Sequence, residues 1–154
     1  MESESTTNST ARQPADGSGR ADEARPAVRP NPLILYVDDE PDMLTLLRLF
    51  LSRKGFEVTA ALNASEALQL VEQRHPDLII TDFAMPGMNG LEFCRTLRER
   101  HETHHIPIIL YSSRDLWQDD PSLFDRFVLK PADLEAFAAM IRDLLAASRA
   151  HESE

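Results

Sequence analysis

The chain carries an acidic pair, Asp38-Asp39, within Val37-Asp38-Asp39-Glu40-Pro41. It carries a lone aspartate, Asp82, within Thr81-Asp82-Phe83-Ala84-Met85-Pro86-Gly87-Met88-Asn89-Gly90. A hydroxyl, Ser112, lies in Tyr111-Ser112-Ser113, and a lysine, Lys130, stands before Pro131. Three carboxylates brought together repel one another unless a cation lies among them. Mg2+ takes one or two carboxylates, some waters and phosphate oxygens in octahedral geometry, so Asp38, Asp39 and Asp82 suit such an ion and leave room for a phosphoryl oxygen. An aspartate carboxylate can also act as a nucleophile and form an acyl phosphate, and Asp82 is the candidate. Phosphoryl transfer depends mainly on positioning and charge neutralisation. Lys130 can supply positive charge, and the Ser112 hydroxyl can hydrogen-bond a phosphoryl oxygen. Singly, these residues have ordinary explanations: an acidic cap helped by a helix dipole, a surface lysine, a strand-end serine. Their occurrence together weighs against those explanations.

The elements that must position them follow from periodicity. Leu33-Ile34-Leu35-Tyr36-Val37 is a continuous apolar run, as in strands buried on both faces of a parallel sheet. Pro41 suits a first helical position. Met43, Leu44, Leu46, Leu47, Phe50 and Leu51 then recur at helical spacing up to Gly55. Phe56 to Ala60 predicts a second strand. Asn63 with Glu66 predicts a capping box, opening a helix with Ala67, Leu68, Leu70 and Val71 that His75-Pro76-Asp77 breaks. Leu78 to Thr81 is a third strand. Pro86, Gly87, Asn89 and Gly90 make a turn-rich loop, followed by the helical stripe Leu91, Phe93, Cys94 and Leu97. Ile106 to Tyr111 is a fourth strand, with Pro107 at its start, and Phe127 to Leu129 a fifth. Asp133 can cap a last helix carrying Leu134, Phe137, Met140, Ile141, Leu144 and Leu145. This alternation predicts an α/β fold, a doubly wound five-stranded parallel sheet with helices on both faces. In such folds ligands bind beyond the carboxyl ends of the strands, where Asp38, Asp39, Asp82, Ser112 and Lys130 fall.

The 154 residues suit one domain with a tail, and the formal net charge is -10. Residues 1–31 are rich in Ser, Thr, Pro, Ala and Gly and are expected to be a disordered tail; residues 32–149 are the expected domain and 150–154 a C-terminal tail. Residues 31–154 carry -9 of the charge. Such a domain repels nucleic-acid phosphates, and no basic patch offsets that. Cys94 is the single cysteine, so no internal disulfide is possible, and it reads as a small core residue. No apolar run reaches the length of a membrane span and no signal-peptide pattern opens the chain, so the expected compartment is the cytoplasm.

The acidic pair, the Asp-x-x-Met-Pro-x-x-Asn-Gly segment from Asp82 to Gly90, the serine after an apolar strand and the Lys-Pro pair together resemble the receiver domain of two-component response regulators, over about Pro32 to Arg149. The Asp82 segment is the most specific part. The resemblance implies a CheY-like, flavodoxin-like (βα)5 fold and a stand-alone receiver. It implies Mg2+ held by Asp39, Asp82 and the backbone carbonyl of Ala84, with Asp38 assisting through water. A sensor histidine kinase or histidine phosphotransfer protein would supply the phosphoryl group to Asp82. Ser112 would move toward it, Phe127 would follow as an aromatic switch, and the Lys130-Pro131 bond would be cis, a geometry of low cost only before proline. Output would pass to a downstream effector protein, from a monomer or weak dimer. The chain would catalyse only its own phosphorylation and dephosphorylation.

Some features depart from that pattern. The stretch from Ser112 to Lys130 is short, Pro121 limits any helix in it, and the Gly-Ala pair usual before the fifth strand is missing. Trp117 and Phe124 are expected to fold over the core there; docking of a partner is the alternative. Ala84 and Arg114 flank the expected phosphoryl position and could tune acyl-phosphate lifetime. His101, His104 and His105 lack an acidic or cysteine partner at ligand spacing. Two rival functions are a phosphate-independent interaction module and an aspartyl-phosphate phosphohydrolase. The latter lacks its general acid, since Ala84 stands where an aspartate is commonly needed.

Overall fold

The computed structural model describes residues 30–115 and 122–152. Chain order is β1 (Leu33–Val37), α1 (Pro41–Arg53), β2 (Glu57–Ala61), α2 (Ala64–Arg74), β3 (Leu78–Thr81), α3 (Gly90–Arg98), β4 (Ile108–Ser112), β5 (Arg126–Leu129) and α4 (Leu134–Glu152). The strands form one sheet in the order β2-β1-β3-β4-β5, and every neighbouring pair is parallel. The doubly wound α/β architecture expected from the alternation is therefore present.

Period-2 alternation splits the central strands between two cores. Leu35, Val37, Ile79, Ile108 and Leu110 face Ala67 and Val71 of α2 and Phe93, Cys94 and Leu97 of α3. Ile34, Tyr36, Leu78, Ile80, Ile109 and Tyr111 face Leu44, Leu47 and Leu51 of α1 and Phe137, Ile141 and Leu144 of α4. Burial on both sides explains why β1, β3 and β4 are apolar without interruption.

Helix starts follow local chemistry. Pro41 opens α1. The Asn63 side chain accepts from the Glu66 backbone N–H, but the Glu66 carboxylate accepts from the N–H of Leu62, not of Asn63. The expected capping box is thus half formed there. A complete box sits at Asn89 and Glu92, with both reciprocal bonds at 2.8–2.9 Å. Asp133 caps α4, accepting from Glu135 and Ala136 N–H groups. The last helix continues past Arg149 to Glu152. His75 ends α2 in the left-handed conformation, φ 51°.

Between β4 and β5 the described residues contain no helix, in line with the shortened region expected there. Leu123 and Phe124 are buried and join the core that faces α2 and α3. Trp117 lies outside the described residues. Asp125 secures the connection. Its backbone N–H donates to the Ile108 carbonyl at 2.8 Å. Its carboxylate accepts from the Ile108 N–H and the Arg98 guanidinium, both at 2.8 Å.

Candidate functional site

Three residues extend the sheet by one hydrogen bond beyond the strand ends. The Asp38 N–H donates to Ala61, the Asp82 N–H to Val37 and the Lys130 N–H to Ser112. Their backbones are therefore as fixed as the sheet itself. Asp38 follows β1, Asp82 follows β3 and Lys130 follows β5. Ser112 is the last residue of β4 itself, slightly later than the strand end expected from sequence.

Asp38 is fully buried, and a buried carboxylate must be paired. Its Oδ2 accepts from the Tyr36 hydroxyl at 2.7 Å and from Lys130 Nζ at 2.8 Å, and its Oδ1 accepts from the Glu40 N–H at 3.0 Å. Lys130 Nζ is also 3.4 Å from Asp82 Oδ2 and lies 5.2 Å over the Tyr111 ring. Asp82 is 7% exposed, and its Oδ1 accepts from the Phe83 N–H at 2.8 Å. Asp39 is exposed beside them.

Burial pushes the Asp82 carboxyl upward, and the charge of Asp38 adds to this; Lys130 and the Phe83 N–H pull back without cancelling it. For Lys130, burial acts to lower the ammonium pKa, but the hydrogen bond and charge of Asp38 outweigh that and the net shift is upward. Burial, then the charge of Asp38, keeps the Tyr36 phenol protonated and able to donate.

Asp38, Asp39 and Asp82 each offer one oxygen such that all lie within 4.8 Å of one another. Among the described residues this is the one such group of three or more acidic, cysteine or histidine ligands. An all-oxygen set of this kind fits a hard divalent cation rather than a soft one. Ala84 lies on the exposed loop two residues beyond Asp82. The Ser112 side chain is buried, and its Oγ accepts from the Arg114 N–H at 3.1 Å, which ties it to its own loop. The exposed Arg114 guanidinium lies 5.0 Å over the Phe83 ring. Phe127 pairs in register with Leu110 and packs, half-buried, against the core facing α2 and α3. The Lys130-Pro131 bond is cis. His101, His104 and His105 lie beyond α3, where the His104 ring stacks on His101 and meets His105 edge-on; they are not in a three-ligand group.

Sequence reasoning missed one contributor and gave two others a different local role. Tyr36 reads as one more residue of an apolar strand; the available signal was its spacing of two from Asp38, which puts both side chains on one sheet face. Asn89 and Gly90 read as turn residues. Asn89 is in fact the cap of α3, and Gly90 is its first residue, where a Cβ would overlap the Asp82 carbonyl oxygen. The Asn-Gly pair lets α3 start directly against the backbone that carries Asp82.

Comparison with known proteins agrees with this geometry. Residues 34–142 match the response regulator receiver domain. The chain is 36% identical over 118 residues to the phosphate regulon transcriptional regulatory protein PhoB of Rhizobium meliloti, covering 74% of this chain and 52% of that protein. It is 33% identical to the protein PilH of Pseudomonas aeruginosa, covering 73% of this chain and 97% of PilH. The chain spans about half the length of several of the curated relatives it matches. Among solved structures, it resembles the response regulator TrrA of Thermotoga maritima in complex with Mg(2+)-BeF, with TM-score 0.67 and 32% identity over 73% of this chain and 98% of that one. The chemotaxis response regulator CheY4 of Vibrio cholerae, at 24% identity and TM-score 0.68, shares the fold; 74% of this chain and 98% of that one are covered. By the family match, the strand order and the cluster at the strand ends, this chain belongs to the response regulator receiver domain family of two-component signalling.

Proposed function

We propose that Asp82 is the phosphoacceptor of a Mg2+-dependent receiver that signals through protein contacts. The convergence of Asp38, Asp39 and Asp82 with Lys130 at one end of the sheet carries this reading. Asp39, Asp82 and the Ala84 carbonyl would hold Mg2+, with Asp38 assisting through water. The bound cation supplies charge neutralisation for the transferring phosphoryl oxygens. An Asp82 carboxylate oxygen attacks the phosphorus of a phosphohistidine on a sensor kinase or phosphotransfer protein, and the imidazole nitrogen leaves as the acyl phosphate forms. Lys130 Nζ, already 3.4 Å from Asp82 Oδ2, neutralises charge on the product. The Ser112 hydroxyl donates its O–H to a phosphoryl oxygen, and Phe127 moves with it. Ala84 and Arg114, flanking the expected phosphoryl position, tune water access and so the lifetime of the modification. The cytoplasm is the compartment this reading requires, and among the described residues no helix is long and apolar enough to cross a membrane. Residues 32–149 act as the unit that receives the phosphoryl group.

Beryllofluoride with Mg2+ tests the reading. Wild type should gain thermal stability by mass action and show shifted backbone amide NMR signals at Ser112 and Phe127, and Asp82→Asn should show neither. Equal responses from both proteins would refute the assignment.

A further inference from the structure

β1 is aliphatic except for Tyr36, which is fully buried. Its hydroxyl donates to Asp38 Oδ2 at 2.7 Å. That same oxygen accepts from Lys130 Nζ at 2.8 Å, and the other oxygen of Asp38 accepts from the Glu40 N–H at 3.0 Å. Three donors on two oxygens fix the carboxylate in both position and rotation. Lys130 consequently leans to Asp38, at 2.8 Å, and away from Asp82, at 3.4 Å. A phenol does this without adding charge, and its ring is anchored in the core shared with Leu47, Leu51 and Phe137. An aliphatic side chain in its place could fill the same space but could not orient Asp38.

We propose that Tyr36 is a positioning residue for the cation site: its hydroxyl locks the Asp38 carboxylate, and through Asp38 it sets where Lys130 stands between Asp38 and Asp82. The inference rests on the reading of Asp38, Asp39 and Asp82 as a Mg2+ site and adds a residue of the hydrophobic strand to its support. Partners that orient metal-site carboxylates matter nearly as much as the ligands themselves.

The test is a Mg2+ titration of the full chain followed by backbone amide NMR at Asp39 and Phe83, on wild type, Tyr36→Phe, Asp38→Ala and the double variant. Tyr36→Phe keeps the ring and should weaken Mg2+ binding by about tenfold. In the Asp38→Ala background, adding Tyr36→Phe should change the affinity by less than about twofold, because the effect travels through Asp38. A Tyr36→Phe affinity within twofold of wild type overturns the proposal. So does an equal tenfold loss in the Asp38→Ala background, which a general packing defect would give. A wild type with no Mg2+ response would instead sink the cation site itself and this inference with it.

Discussion

A carboxylate with no exposed surface survives in a fold only when donors replace its lost water, and Asp38 has three. That arrangement leaves Asp82, with one short backbone donor and a longer contact to Lys130, as the carboxylate with fewer fixed partners. The same burial logic gives the opposite outcome at Cys94. Burial pushes its thiol from 9.0 up to about 12, with Asp125 adding slightly and Arg98 opposing. Native protein should therefore resist a thiol-reactive reagent at pH 8 and label fully in denaturant; rapid native labelling would contradict the burial. The sign for stability follows: the thiol contribution is constant below about pH 9, where both states are protonated, and is lost between about 9 and 12 as only the unfolded thiol ionises. Asp38, Asp82 and Lys130 stand out in the sequence because each directly follows an apolar strand, with Asp39 one residue beyond Asp38. Tyr36 does not, because a phenol inside an apolar run has the same pattern as a core aromatic until its partner two residues on is considered.

At the scale of elements, α3 is tied to the site by its first turn. The Asn89–Glu92 box fixes its start, the Gly90 N–H donates to the Phe83 carbonyl at 2.8 Å, and the missing Cβ of Gly90 admits the Asp82 backbone. Gly90→Ala should cost about 1–3 kcal/mol, as overpacking against backbone does, measured by urea unfolding, and should slow Asp82 phosphorylation beyond what the stability loss explains. Unchanged stability would refute the close approach. The β4–β5 connection depends on Asp125 in the same way. Asp125→Ala removes the acceptor for the Ile108 N–H and for Arg98, and should destabilise by about 1–2 kcal/mol in the same measurement. A neutral result would show that the clamp does not hold the connection. That the described residues between β4 and β5 hold no helix agrees with the short spacing and with Pro121 in the sequence. The Asp125 clamp was not legible there, because its partners are 17 and 27 residues away in sequence, and local pattern carries no information about such pairs. Strand edges shifted by one or two residues for a related reason: parallel pairing with a neighbour, not propensity, decides where β2, β4 and β5 begin and end.

Across the whole molecule, the sheet does the organising. Two cores grip it from both faces, so the strand ends become fixed points at which the side chains of Asp38, Asp82 and Lys130 meet despite wide separation in sequence. The doubly wound pattern puts these residues at the carboxyl end of the sheet, and the structure brings Asp38, Asp39, Asp82 and Lys130 together there. Lys130 lies between the two buried carboxylates, Asp38 and Asp82, and the oxygens of Asp38, Asp39 and Asp82 suit a hard divalent cation. Intact-mass analysis after incubation with acetyl phosphate tests this account most directly, on wild type and Asp82→Asn, each with and without Mg2+. The account predicts a single phosphoryl adduct on wild type with Mg2+, and none without the cation or in the variant. An adduct on Asp82→Asn, or one on wild type that forms equally well without Mg2+, would contradict it.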